Sequence, residues 1–232
     1  MRLLTVKELS FYYDQEKVLH NVNFHVDAGE FVILTGENGA AKSTLIKNIL
    51  GLLKPATGTI ELSDVNAEGE KLSIGYVPQN VAAFNAGFPS TVQKLVESGR
   101  YSKNRWFKKL DTNDLEHVEK ALNAVGMAHL ANKKVGELSG GQKQRINLAR
   151  VFATDPDFFV LDEPTTGMDV ESRRSFYQLL QHSCKAHGKA ILMVTHADKE
   201  IEGYFDREIR LIRGEGTSPW RCFSMTSSKE HF

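Results

Sequence analysis

The stretch Gly36-Glu37-Asn38-Gly39-Ala40-Ala41-Lys42-Ser43-Thr44 decides the fold of this chain. A short apolar run over residues 31–34 precedes it, and a segment with helical character over residues 45–50 follows it. Strand, glycine-bearing loop and helix, in this order, are the setting of a phosphate-binding loop. The backbone N–H groups of such a loop point at an anion, and the positive end of the following helix adds to their attraction. The stretch therefore predicts a phosphate site, with Lys42 at the outer phosphates and the Ser43 hydroxyl on Mg²⁺.

Length and composition narrow the class of protein. The 232 residues suffice for one substantial core. The 29 basic and 29 acidic residues balance, which does not favour a protein that coats nucleic acid. Two cysteines, Cys184 and Cys222, make no disulfide framework and suit a reducing compartment. The N-terminus has no secretory signal and no apolar run approaches the roughly 18 residues that cross a bilayer, so we expect an intracellular chain that reaches a membrane only by docking.

The order of the predicted elements is that of a split α/β core. Residues 1–30 carry apolar side chains at alternate positions, as strands do. From 82 to 136 the pattern changes to amphipathic helices, with Thr91 as a cap and Asn113 with Glu116 as a capping box. The core then resumes with a helix over 142–152, a strand over 158–162, a helix over 171–185 and a strand over 190–195. The last stretch, 214–232, is rich in Gly, Ser and Thr, and we expect a loose tail.

Two adjacent acids end the apolar run of residues 158–161. A continuous run of this kind is typical of a parallel strand that is buried on both faces, and ligands bind at the carboxyl end of such strands. Asp162 is therefore a candidate for holding Mg²⁺, and Glu163 for polarising an attacking water. The alternative is that the two acids, followed by Pro164, simply end a strand at a turn.

The most specific stretch of the chain is Leu138-Ser139-Gly140-Gly141-Gln142. A serine and two glycines that open a helix form a second anion cradle, built like the first one but without a lysine. The alternative is an ordinary turn into a helix, with Ser139 as its N-cap.

The chain contains, in this order, the phosphate loop, Gln79, the stretch 138–142, the acids Asp162 and Glu163, Asp169 and His196. This combination resembles the ATP-binding subunit of an ABC transporter. The resemblance covers residues 3–213. It implies an α/β P-loop NTPase fold with a RecA-like core, an N-terminal antiparallel β subdomain and an inserted α-helical subdomain. It assigns residues 1–232 to one ATP-binding domain, with core and β lobe at 1–80 and 137–213, the helical insertion at 82–136 and the tail at 214–232.

The resemblance also implies a role for each matching residue. Residues 36–44 bind ATP, and Tyr13 stacks on adenine, with Tyr12 as the rival and a core strand aromatic as the alternative role. Gln79 contacts Mg²⁺ and the attacking water, and His196 lies near the γ-phosphate. The catalytic set is therefore Glu163, His196 and Gln79, and the Mg²⁺ set is Ser43, Gln79 and Asp162. A lone histidine is usually structural, but His196 ends an apolar strand within the pattern.

The family mechanism needs two copies of the chain. Two subunits sandwich two ATP molecules, so that Ser139, Gly140, Gly141 and Gln142 of one copy face the γ-phosphate held by Lys42 of the other, with Asp169 in the loop at the dimer interface. The expected cofactors are ATP and Mg²⁺. The expected partners are a second copy, integral membrane permease subunits and, indirectly, an extracytoplasmic substrate-binding protein, with no nucleic acid. The expected location is the cytoplasmic side of the cell membrane, as a peripheral subunit.

Ala41 is the one departure from the family pattern, which has glycine at this position. A Cβ there crowds the β-phosphate or, if φ is positive, costs roughly 1 kcal/mol of backbone strain. Because Lys42, Ser43 and the remaining catalytic residues are all in place, we expect an active ATPase with a slightly reshaped loop.

The transported substrate is suggested by weaker similarities. Three stretches resemble the ATP-binding subunits of transition-metal importers, which favours zinc first, then manganese, then iron. They are Phe88-Pro89-Ser90-Thr91-Val92, Val96-Glu97-Ser98-Gly99-Arg100-Tyr101 and Leu161-Asp162-Glu163-Pro164-Thr165-Thr166-Gly167-Met168-Asp169. A soluble ATPase of this superfamily that works without a permease, and a nucleotide sensor that does not hydrolyse ATP, remain as alternatives.

Two further segments have less specific patterns. His182, Cys184 and His187 would form a metal site only if they shared a helix face, and a solvated face is the preferred interpretation. The basic and aromatic segment 100–109 is explained by a membrane partner or lipid head groups as well as by nucleic acid.

Overall fold

The computed structural model describes residues 1–79, 90–101, 109–196, 200–213 and, for the backbone, 220–225. Within these ranges the strands are β1 Arg2–Tyr13, β2 Glu16–Asp27, β3 Phe31–Gly36, β4 Thr57–Leu62, β5 Ile74–Val77, β6 Phe158–Asp162, β7 Ala190–Val194, β8 Arg207–Arg213 and β9 Trp220–Met225. The helices are α1 Lys42–Ile49, α2 Val92–Glu97, α3 Thr112–Ala124, α4 Gly140–Ala153 and α5 Val170–His187. Short 3₁₀ turns cover Ser98–Arg100, Ala128–Leu130 and Val135–Glu137.

The strands form one sheet in the order β4-β1-β2-β9-β8-β3-β7-β6-β5. The segment β8-β3-β7-β6-β5 is parallel, and β1 pairs with β2 and β4 in antiparallel fashion. The strands β6 and β7 are buried along their whole length, as expected of parallel strands covered on both faces. The predicted α/β fold with an N-terminal antiparallel lobe is confirmed.

The parallel strands separate two hydrophobic cores. Side chains alternate across a strand, so Phe31 and Ile33 face one core while Val32 and Leu34 face the other. The first core includes buried side chains of α2, α3, α4 and α5, and the second includes those of α1 and the antiparallel lobe. The sheet therefore fixes the helical region and the phosphate loop relative to each other.

Of the two predicted helix caps in the helical region, the one of α2 is confirmed and the one of α3 is wrong. Thr91 caps α2, as expected, by accepting the N–H of Lys94. The predicted capping box of Asn113 and Glu116 is wrong, because α3 begins with Asp111 as N-cap and Asp114 as its partner. Asp114 accepts the Asp111 N–H and also a charged Arg100 guanidinium, and this combination favours the earlier start.

The predicted loose tail is wrong over residues 220–225, which form β9. This strand pairs antiparallel with β8 and touches β2 at the pair Leu19 and Trp220. Without β9, the facing edges of β8 and β2 would leave rows of backbone N–H and C=O groups unpaired, and this cost outweighs the loop-like composition. Residues 214–219 and 226–232 lie outside the described residues. So do 80–89 and 102–108, which contain part of the proposed importer pattern and most of the basic and aromatic segment.

We expect Asp114→Ala to destabilise the chain by about 3 kcal/mol, because it removes a cap and leaves the half-buried Arg100 without its carboxylate. The matched variant Asp111→Ala removes the capping carboxylate at the same helix end but keeps the pair of Arg100 and Asp114, and it should cost about 1 kcal/mol. Urea unfolding of the full chain measures both. Equal losses would show that the Arg100 pair contributes nothing.

Candidate functional site

The phosphate loop leaves β3 at Gly36 and enters α1 at Lys42. A Cβ on Gly36 would lie 2.8 Å from the carbonyl oxygen of Leu211, so only glycine fits there. Ala41 has φ 59° and ψ 22°, in the left-handed region that L-residues with a side chain rarely adopt. The strain foreseen for a positive φ at Ala41 is therefore present in the loop.

The Lys42 side chain is folded over the loop. Its Nζ donates to the carbonyl oxygens of Gly36 at 2.8 Å and of Glu37 at 3.1 Å, and the residue is only 7% exposed. The ammonium group is thus held above the N-terminus of α1, where an outer phosphate of a nucleotide would carry its charge.

A cavity of about 440 Å³ opens in front of the loop. It is lined by Tyr13, Val18, Asn38, Gly39, Ala40, Ala41, Lys42, Ser43, Thr44, Gln79 and Glu163. Tyr13 is 46% exposed, and its hydroxyl lies 3.5 Å from Oγ1 of Thr44. Tyr12 is not part of this lining, and the Lys17 ammonium lies 5.3 Å from its ring centre. Of the two rival tyrosines, Tyr13 is the one beside the loop, and its exposure does not fit a core aromatic.

Asp162 ends β6 and is 3% exposed. Burial raises the pKa of its carboxyl group, while the hydrogen bond from the Ser43 hydroxyl opposes that rise. Among the described atoms, Oδ1 of Asp162 has no hydrogen-bond partner although it is buried. A buried unpaired carboxylate oxygen next to a hydroxyl matches the oxygen ligands that Mg²⁺ prefers. Ser43 and Asp162 therefore fit the predicted metal, and the role of Gln79 as a third ligand stays a prediction.

The Glu163 carboxylate is the point where the predicted catalytic residues meet. Nε2 of Gln79 donates to Oε2 of Glu163 at 2.6 Å, and Nε2 of His196 lies 3.5 Å from Oε1. Glu163 lines the same cavity as the phosphate loop. These three residues come from separate parts of the chain, and the structure brings them to one carboxylate.

The backbone of Glu163 is held as firmly as its side chain. Its φ is 50°, so a residue with a side chain again adopts the left-handed region. The N–H donates to the carbonyl oxygen of Val194 at 3.0 Å. The carbonyl oxygen accepts from Nε2 of Gln144 at 3.3 Å and from Oγ1 of Thr166 at 3.1 Å. Strained backbone of this kind persists only where its surroundings hold it, and it is often found at active sites.

The second cradle, at the start of α4, does not line the 440 Å³ cavity of its own chain. Oγ of Ser139 accepts the Gln142 N–H at 3.3 Å, and Oε1 of Gln142 accepts the Ser139 N–H at 3.1 Å. Ser139 is thus the N-cap of α4, as predicted for an ordinary turn into a helix. Capping by Ser139 does not explain why glycine follows at both position 140 and position 141. A Cβ on Gly140 would meet no atom of the described chain within 4 Å, and one on Gly141 would be 3.8 Å from the Gly167 carbonyl oxygen.

Asp169 caps α5 rather than reaching into the cavity. Its carboxylate accepts the N–H and the hydroxyl of Ser172, each at 2.8 Å. These bonds lower the pKa of Asp169, which is fully exposed. An exposed, ionised residue at this loop is available to a second chain, and its predicted role at a dimer interface stays a prediction.

Some residues around the site were missed by the sequence motifs. A smaller cavity of about 180 Å³ adjoins Glu163 and His196, and Arg173 and Thr195 help to line it. Arg173 in turn contacts Glu200. No local pattern distinguishes Arg173 or Glu200 from ordinary surface charges, so only their position in space reveals them.

A metal site among His182, Cys184 and His187 is not supported. His182 and His187 are exposed, whereas Cys184 is buried, and burial raises the pKa of its thiol to about 12. Within the described ranges, no group of three or more His, Cys, Asp or Glu residues is placed to bind a metal ion. None of the helices in the same ranges combines the length and the apolar character needed to cross a bilayer.

Comparison with known proteins identifies the family. Residues 19–166 match the family described as ABC transporter. The zinc transport system ATP-binding protein AdcC of Streptococcus pneumoniae (strain ATCC BAA-255 / R6) is 56% identical over 225 residues, which are 97% of this chain and 96% of that protein. The high-affinity zinc uptake system ATP-binding protein ZnuC of Bacillus subtilis (strain 168) is 50% identical over 232 residues, 100% of both chains.

A solved structure supports the same assignment. The dimeric post-hydrolysis state of the ATP-binding cassette MJ0796, bound to ADP and Pi, matches with a TM-score of 0.71 and 25% identity, covering 90% of this chain and 94% of that chain. The phosphate loop, the acidic end of β6 and the second cradle all lie within residues 19–166, the range that matches the family. The family match spans more than half of the chain, and both relatives align over nearly its full length, so this chain belongs to the ABC transporter family.

Proposed function

We propose that this chain is the ATP-binding and ATP-hydrolysing subunit of an ABC importer that takes up zinc. The environment of the Glu163 carboxylate is the main evidence for hydrolysis. This carboxylate accepts a hydrogen bond from Gln79, lies close to His196 and lines the same cavity as the phosphate loop. The evidence for zinc as the substrate is the sequence identity of 56% and 50% to two subunits named for zinc transport, over nearly the whole chain.

The site residues divide the chemistry among themselves. Ser43 and Asp162 would hold Mg²⁺, which neutralises phosphate charge when it is bound. The Lys42 ammonium exchanges its two carbonyl partners for phosphate oxygens when a nucleotide enters. Glu163 accepts a hydrogen bond from the attacking water, Gln79 orients that carboxylate, and His196 donates toward the γ-phosphate.

A second copy of the chain completes the ATP site. Ser139, Gly140 and Gly141 do not line the nucleotide cavity of their own chain, and no described atom lies within 4 Å of a Cβ built on Gly140. A phosphate held by Lys42 of another copy would explain why the start of α4 carries no Cβ there. ATP then acts as the contact between two subunits, and its hydrolysis reopens the dimer.

The remaining partners follow from this role. Integral membrane permease subunits would dock on the helical region and hold the chain at the cytoplasmic side of the membrane. An extracytoplasmic protein would deliver the metal to those permeases, so this chain needs no zinc site of its own. A soluble ATPase without a permease would instead be recovered entirely from the cytosol after cell fractionation.

Replacing Glu163 with Gln should reduce the turnover number by a factor on the order of 100 to 1000 and make ATP-dependent dimers accumulate, because ATP still binds but the water is no longer activated. Phosphate release and size-exclusion chromatography with MgATP measure the two effects. Glu119→Gln, an exposed acid on α3, serves as the control with the same chemical change. Full turnover by Glu163→Gln would exclude this residue as the catalytic carboxylate.

Replacing Ala41 with Gly should stabilise the chain by up to about 1 kcal/mol, because glycine adopts φ 59° without strain. We expect MgATP affinity and turnover within about threefold of the native chain, since Lys42 and Ser43 are unchanged. Ala40→Gly, at a neighbouring residue without a positive φ, should not stabilise. Thermal melting and equilibrium MgATP binding test this. No binding by the native chain, restored by Ala41→Gly, would mean that Ala41 disables the site.

Cells that lack this chain should accumulate less zinc from a zinc-poor medium, and re-expression of the native chain should restore uptake. Re-expression of Glu163→Gln should not, because transport requires hydrolysis. Radiolabelled zinc and manganese, measured in parallel, distinguish the substrates. Unchanged zinc accumulation with reduced manganese accumulation would reassign the substrate, and no change in either metal would reject metal uptake.

A further inference from the structure

Arg173 joins two segments that flank the catalytic carboxylate. Its Nη1 donates to the carbonyl oxygen of Met168 at 2.7 Å. Its Nε and Nη2 donate to the two carboxylate oxygens of Glu200 at 2.7 Å and 3.0 Å. The guanidinium therefore binds a carboxylate in bidentate fashion and a backbone carbonyl at the same time, which a lysine is not able to do.

Met168 and Glu200, which Arg173 contacts, both lie close in sequence to predicted site residues. Met168 ends the short loop that starts at Glu163 and leads into Asp169. Glu200 is the fourth residue after His196 in the sequence. The side chains of Arg173 and Glu200 are each 24% exposed, so the pair is partly shielded from water. The bonds from Arg173 lower the pKa of Glu200 and keep it ionised.

Internal hydrogen bonds connect the two ends of the loop between Glu163 and Met168. The carbonyl oxygen of Glu163 accepts the Thr166 hydroxyl at 3.1 Å, and the Met168 N–H donates to the carbonyl oxygen of Thr165 at 3.1 Å. A shift at Met168 is therefore passed to the left-handed backbone at Glu163. Arg173 also lines the 180 Å³ cavity that Glu163 and His196 share.

We propose that Arg173 is a positioning residue for ATP hydrolysis, and that it acts as a clamp that ties the loop of Glu163, through the carbonyl group of Met168, to the carboxylate of Glu200. The proposal rests on the proposed function of Glu163 as the catalytic carboxylate. Arg173 itself does not line the nucleotide cavity, so it acts through the loop that carries Glu163. Loss of the clamp lets the carboxylate drift from the attacking water, while the phosphate loop, on β3 and α1, remains intact.

A purely stabilising ion pair makes a different prediction. Such a pair contributes to the melting temperature of the chain but leaves the turnover number of the folded protein unchanged. A positioning pair lowers the turnover number and leaves the Michaelis constant for ATP nearly unchanged, because the phosphate loop still binds the nucleotide.

The test compares Arg173→Ala, Arg173→Lys and Glu200→Gln in the purified full chain, with turnover, Michaelis constant for MgATP and melting temperature measured for each. The control is Arg174→Ala, which removes the same charge at the next, exposed residue of α5. We expect the turnover number of the three clamp variants to fall on the order of tenfold, with the Michaelis constant within about twofold and Arg174→Ala unaffected.

The double variant Arg173→Ala with Glu200→Gln gives an independent check. Because the two side chains act as one unit, the double variant should lose no more turnover than the more impaired single variant. Three results would each overturn the clamp. The first is that the losses of the two single variants multiply in the double variant, and the second is that the clamp variants keep a turnover number within twofold of the native chain. The third is a loss of turnover that only parallels a loss of ATP binding or a lower melting temperature. Absence of turnover in the native chain would overturn the proposed function itself.

Discussion

The parallel register of β3, β7 and β6 is the constraint on which the site depends. Leu34 lies opposite Val194, and Val194 lies opposite Asp162, so these three strands end at one edge of the sheet. The phosphate loop follows β3, Glu163 follows β6 and His196 follows β7, each within two residues of this edge. Continuous apolar runs make the strands pair in this way, because their side chains are buried on both faces. The chemistry of the site is thus positioned by hydrophobic packing some distance behind it.

Two of the residues with strained backbone line the nucleotide cavity. Ala41 and Glu163 both adopt positive φ, each at a cost of order 1 kcal/mol or more. At Glu163 the cost is offset by hydrogen bonds from Gln144 and Thr166 to its carbonyl oxygen. Since Gln144 belongs to α4, the helix that begins with the second anion cradle also supports the catalytic loop of its own chain.

The fold explains an arrangement that is incomplete in one chain. The cradle at Ser139 has the backbone of an anion site, yet it does not line the cavity that Lys42 faces. The two predicted cradles lie at the starts of different helices, α1 and α4, which agrees with the proposal that a second copy joins them. The clamp of Arg173 and Glu200 lies beside the loop that leads to Asp169, where such a copy would make contact.

The sequence by itself determined the features that depend on local backbone geometry and on burial. Short patterns of sequence predicted the phosphate loop, the buried strands that end at Asp162 and Val194, and the cap at Thr91, because no distant partner among the described residues competes with the local preference there. Tertiary structure decided the rest, because distant partners competed with local preference. Residues 220–225 form a strand because they pair with the free edge of β8. The helix α3 begins after Asp111 because Asp114, which completes the cap, also binds Arg100. The pairing of Arg173 with Glu200 has no local signal, since it depends only on where α5 lies against the segment after β7.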